Sequence, residues 1–150
     1  MAIRAGIMIE SRDRRPILVV ECRRAHDSSS QYAVRWRRNL VAHGLDSEVP
    51  YFLLAFPTGL FLWRANSNLE APPDFTAPAQ PVLKRYLGPI AEQPGGPLEE
   101  SLENAFYAWL SDLAHGVRQP EALSEADQML VTSGLLEKMK GSTFRTRGLS

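Results

Sequence analysis

Two apolar runs with a helix between them constrain this chain more than any other feature. Pro16 opens Ile17-Leu18-Val19-Val20-Glu21-Cys22, and Pro50 precedes Tyr51-Phe52-Leu53-Leu54-Ala55-Phe56. Both are rich in the β-branched and aromatic residues that suit strands. Neither alternates between apolar and polar residues, so both are expected to be buried on two faces of a sheet. Between them, Ser28 and Gln31 have capping-box spacing, and Gly44 suits the position just past a helix end. The spacing predicts a helix near 30–43, with Ala33, Trp36 and Leu40 on one face and Arg35 and Arg38 on another. A strand, a helix and a second doubly buried strand imply a parallel, right-handed crossover.

The flanking segments extend this unit. Gly6-Ile7-Met8-Ile9-Glu10 is a short apolar run, and polar residues 11–15 turn it back antiparallel to the run from Pro16. Pro57-Thr58-Gly59 joins Tyr51–Phe56 to Leu60-Phe61-Leu62-Trp63-Arg64 as a second hairpin. Residues 66–97 carry seven of the eleven prolines and the pair Gly95-Gly96, which reads as an irregular connector with room for a helical turn at 82–87. Beyond it, Leu98, Leu102, Phe106, Trp109, Leu110 and Leu113 form a helical stripe. Ser124 caps a further helix, 134–139 reads as another turn or two, and 143–147 as a last strand. The expected fold is a single α/β domain over residues 1–150. It is a mixed sheet of at least four strands (core 3–64), with a helix on one side and a helical extension (98–147) closing the other.

With 150 residues, 44% of them hydrophobic and 23% charged, the chain has the composition of a globular domain. No apolar run approaches the ~20 residues of a membrane span, and no secretory signal is visible. A single cysteine excludes an internal disulfide and a multi-cysteine zinc site, and fits a reducing, cytoplasmic setting. The net charge of zero conceals an asymmetry: residues 1–64 hold ten Lys/Arg against six Asp/Glu, and residues 65–150 hold seven against eleven. There is no phosphate-binding or dinucleotide-binding glycine motif, so nucleotide chemistry has no sequence support.

The chemistry concentrates at Pro16–Arg24. Side chains alternate along a strand, so Glu21 and Arg23 project to one face and Cys22 to the other. A carboxylate and a cation so placed suit metal-dependent phosphodiester cleavage, in which the carboxylate holds the metal and the cation stabilises developing charge. On the pattern alone, the simpler reading is an ion pair that neutralises itself at a sheet margin. Arg23, Arg24, Arg35, Arg37 and Arg38 add positive charge that can contact phosphates.

An apolar strand ending in Glu-x-Arg, a basic helix with an early Gln and a further apolar strand resemble the PD-(D/E)xK, or restriction-endonuclease-like, superfamily. The resemblance covers about residues 3–64. It implies a nuclease-like fold acting on DNA with Mg²⁺. It assigns Glu21 as metal ligand, Glu21, Arg23 and Gln31 as the catalytic set, and Arg24, Arg35 and Arg38 to nucleic acid. The sequence departs from the family pattern in three places. The hairpin turn pairs either Ala5 or Gly6 with Glu21, and neither offers the carboxylate of the family Asp. Arg23 stands where the family has Lys, and a guanidinium stays protonated. The family's upstream helix has no counterpart ahead of the first strand. Together these imply a degenerate site, inactive or weak. The alternative is a non-catalytic interaction module or homo-oligomer, the basic half of one copy meeting the acidic half of another.

Other groups read as structural. Cys22 and His26 have ligand-like spacing but no second pair, so Cys22 is read as a buried thiol. His26-Asp27 is isolated, and His43 and His115 lack suitable neighbours. Ser28–Ser30 lack the glycines of a nucleophile elbow and read as caps. Trp36 and Trp63 read as core.

Overall fold

A computed structural model describes residues 6–24, 29–94 and 96–146. Six strands form one mixed sheet: β1 (Ile7–Glu10), β2 (Pro16–Cys22), β3 (Tyr51–Phe56), β4 (Gly59–Arg64), β5 (Phe75–Ala77) and β6 (Thr143–Thr146). Their order is β5-β4-β3-β2-β1-β6. Among the described residues, five helices accompany them: α1 (Ser30–Ala42), α2 (Gln80–Leu87), α3 (Glu99–Ala114), α4 (Glu125–Thr132) and α5 (Leu135–Met139). The expected α/β class and mixed sheet are present, with two strands more than the minimum.

β2 and β3 run parallel, with Val20 opposite Leu53 and Glu21 opposite Leu54, and α1 joins them. All other strand pairs are antiparallel. β3 is buried along its whole length, as its unbroken apolar sequence requires. On one face, Val19, Phe52, Leu54, Phe56, Phe61 and Trp63 pack against Ala33 and Leu40 of α1, with Trp36 partly buried beside them. On the other, Ile7, Ile9, Leu18, Val20, Leu53 and Leu62 meet Leu102, Phe106, Trp109, Leu130 and Met139. The result is three layers, helix–sheet–helix.

The β1–β2 register pairs Ile7 with Val20, and one step further sets Gly6 opposite Glu21. The other register considered, with Ala5 opposite Glu21, is excluded over the described strand. The Ser11–Arg15 turn is a three-residue hairpin loop: Arg14 N donates to Ser11 O, Ser11 N donates to Arg15 O, and Arg14 takes a positive φ of 64°.

Two local expectations need correction. The cap of α1 is Ser29, whose hydroxyl accepts from Tyr32 N, one residue later than the capping-box spacing suggests. Ser28, like His26 and Asp27, lies outside the described residues, as do Ala5 and Arg147. Residues 66–97 are more ordered than an irregular connector: they form the edge strand β5, α2 and a 3₁₀ turn at Gly88–Glu92. The prolines sit where they cost little, Pro81 in the first turn of α2 and Pro89 in that of the 3₁₀ turn. Val82 and Leu83 are buried in the core beneath α3. The last strand expected at 143–147 is present as β6, which returns to pair with β1 along Ile7–Glu10.

Candidate active site

Glu21 lies near the end of β2 on the face covered by α1 and is 1% exposed. Arg23, two residues on, reaches back to the same face. Its Nη2 stands 2.6 Å from Glu21 Oε1. The guanidinium is held from other sides as well. Nη1 lies 3.7 Å from Glu99 Oε1 and donates to Cys22 O at 3.4 Å, and Cζ lies 5.5 Å from the centroid of the Trp36 ring. Arg23 thus ties β2 to α1 and α3. The sequence places Glu21 and Arg23 on one face correctly, and the pairing between them is close.

Two carboxylates from α3 complete this corner, and sequence reasoning missed both. Glu99 Oε2 accepts from Arg24 N at 3.3 Å. Glu103, one helical turn further along, places Oε2 3.2 Å from the point where a Cβ on Gly6 would stand. The available signal was weak. Glu99 and Glu103 are an i,i+4 acidic pair beside the Leu98–Leu102–Phe106 stripe, which by itself describes an ordinary helix rim.

Cys22 points to the opposite face and is buried. Burial first, then the negative charge of Glu103 and Glu21, pushes its thiol well above its ordinary value. Glu21, Glu99 and Glu103 together put negative charge around this strand end. The thiol is a poor nucleophile there.

The other assigned residues are dispersed. Gln31 is exposed in the first turn of α1, and nothing among the described residues ties it to Glu21. Arg35 is exposed and stacks over Tyr32 at 5.9 Å. Arg38 pairs with Glu70 at 2.7 Å. Arg37 leaves the basic face altogether. It is buried, it donates to Asn66 O and Asn68 O, and its Cζ lies 5.7 Å from the centroid of the Trp63 ring. The positive stripe read from the sequence is therefore shortened by one internal residue and one local ion pair.

The donor set does not suit the Mg²⁺ that the family resemblance implies. Mg²⁺ wants one or two carboxylate oxygens in near-octahedral array. Arg23 occupies one oxygen of Glu21, and Gly6 supplies none. Among the described residues, no group of three His, Cys, Asp or Glu side chains is arranged to hold a metal. No described helix is long and apolar enough to cross a membrane. Comparison with protein-family models, with curated proteins and with solved structures finds no match to this chain.

Proposed function

We propose that this chain is a restriction-endonuclease-like protein, related to metal-dependent nucleases acting on DNA, whose own cleavage site is silent. The observation that carries this reading is the Glu21–Arg23 pair at the end of a strand that is joined through a basic helix to a parallel neighbour. That is the position and spacing of the Glu-x-Lys pair in the family it resembles. The same pair supports the silence. A guanidinium 2.6 Å from Glu21 Oε1 competes with any cation for that oxygen, and it does not give up its proton to act as a base. Gly6, opposite Glu21, brings no second ligand, and the carboxylate beside it, Glu103, comes from α3 rather than from the strand that carries the family's Asp.

Incubation of the protein with duplex and single-stranded DNA in Mg²⁺ or Mn²⁺ tests the reading. The expected result is salt-dependent DNA binding without cleavage. Metal-dependent cleavage that disappears in Glu21→Ala overturns the silence. Absence of DNA binding, with association that rises with protein concentration, overturns the nuclease relationship in favour of an interaction module.

A further inference from the structure

The end of the β1–β2 hairpin opposite Glu21 carries a second concentration of charge. The turn residues Arg12 and Arg14 and Arg145 of β6 line a pocket of about 500 Å³ with Glu10, Ser11 and Thr143. Three arginines against one glutamate leave this lining at +2. The acids nearby are already engaged. Asp13 pairs with Arg15 at 3.2 Å and accepts from the Ser11 hydroxyl, and Glu10 pairs with Arg145 at 3.1 Å. Neither Arg12 nor Arg14 has a carboxylate partner among the described residues. Arg12 lies over Gly141, its Nη2 3.5 Å from where a Cβ there would stand, so the 141–143 approach to β6 forms one wall.

The backbone of the turn gives this corner its significance. The third residue of such a loop adopts the left-handed conformation, a position that favours Gly or Asn. Here it is Arg14, at φ 64°, the one non-glycine residue with positive φ among the described residues. A long cation here, where glycine would fold more easily, holds positive charge at the tip of the hairpin at a cost in backbone strain.

The geometry points to a binding site for nucleic-acid backbone phosphates at Arg12, Arg14 and Arg145. Guanidinium forks match phosphate oxygens bidentately, and hydroxyls such as that of Thr143 are common phosphate donors. Every lining side chain is polar or charged. A heterocyclic cofactor or drug-like ligand needs an apolar floor that this pocket lacks, whereas a hydrated phosphodiester strand does not. The site stands about four strand residues, roughly 13 Å, from the Glu21 end, so it does not depend on the nuclease reading.

The decisive variant is Arg14→Gly, because it removes the cation and relaxes the turn together. Fluorescence anisotropy with a labelled DNA duplex of about 20 base pairs measures affinity across a salt series. The expected result is binding by the parent protein. In Arg14→Gly, affinity falls about three- to tenfold and the log–log salt slope becomes shallower by about one, while Tm rises by about 3 °C. Arg12→Ala and Arg145→Ala are expected to lose affinity similarly. Absent binding by the parent overturns the proposal. So does an unchanged affinity in Arg14→Gly, or displacement of the duplex by polyglutamate as readily as by unlabelled DNA. Cleavage activity, present or absent, moves none of these readouts.

Discussion

Glu103 of α3 crowds the space that a side chain on Gly6, the residue before β1, would enter, its Oε2 3.2 Å from that Cβ position. The carboxylate that the family resemblance expects on the first strand therefore has a competitor arriving from the far end of the chain. Gly6→Asp would set two carboxylates against each other, with Val20 O a further 3.4 Å contact. We expect Gly6→Asp to lower stability by about 1–2 kcal/mol at neutral pH, and Gly6→Asn by less, since the shapes match and only the charge differs. Adding Glu103→Gln should recover most of the difference. Thermal unfolding of the set decides it: equal Tm values for Gly6→Asp and Gly6→Asn would show that the charges do not meet.

Arg37 is a structural residue in the middle of a basic-looking helix. Its two carbonyl bonds fasten the 66–68 loop, and burial lowers its pKa against the opposing pull of Asp74. Lys cannot span both carbonyls with one planar fork. Arg37→Lys is expected to cost about 2 kcal/mol, and Arg35→Lys, on the exposed side, less than about 0.5 kcal/mol. Urea denaturation of the two variants distinguishes them.

Asp127 anchors the helical layer to the loop before α4. It is buried, and Arg118 grips it through two bonds of 2.7 and 3.0 Å. Trp109 Nε1 and Glu121 N donate to it as well. Burial pushes its pKa up, but the Arg118 fork and the two N–H donors outweigh that and hold it below 3.8. Because the folded value is depressed, the stabilisation is fully present above the unfolded value. It is lost as the pH falls below about 3.8 and through the folded pKa. Asp127→Asn should lose about 3 kcal/mol near neutral pH, and its deficit relative to the parent should shrink towards pH 2. A deficit that stays constant with pH would refute the assignment.

Cys22 should be inert in the native protein. It is buried, and negative neighbours disfavour its thiolate. A thiol reagent such as DTNB is expected to react only on the unfolding timescale in buffer and at once in urea. Rapid stoichiometric reaction with the folded chain would contradict this.

The central hairpins and α1 are legible because their signals are local: β-branched runs, a serine cap that the spacing sets one residue early, and a Pro-Thr-Gly turn after Phe56 whose glycine belongs to β4. The Glu21–Arg23 face followed from strand alternation alone. What escaped was long-range. Arg35, Arg37 and Arg38 are chemically alike in sequence, and only the sheet's position against α1 decides that Arg37 turns inward. Glu99 and Glu103 read as a helix rim until α3 is laid across the end of β1. The proline-rich stretch reads as a connector because proline breaks the interior of helices and strands. The prolines at the starts of α2 and the 3₁₀ turn begin elements instead.

The pairing of β6 with β1 has a consequence for the order of events during synthesis. Glu10 and Arg145, joined across that pair, are 135 residues apart in the chain. A nascent chain can close the β1–β2–β3–β4 core early, yet the outer edge of β1, carrying the fully buried Ile7 and Ile9, stays unzipped until residues 143–146 clear the ribosome. Non-local pairing of this kind is slow, and an open apolar edge is a template for other chains. Truncation before residue 143 would leave that vulnerability permanent, turning a passing stage of biogenesis into a route to aggregation.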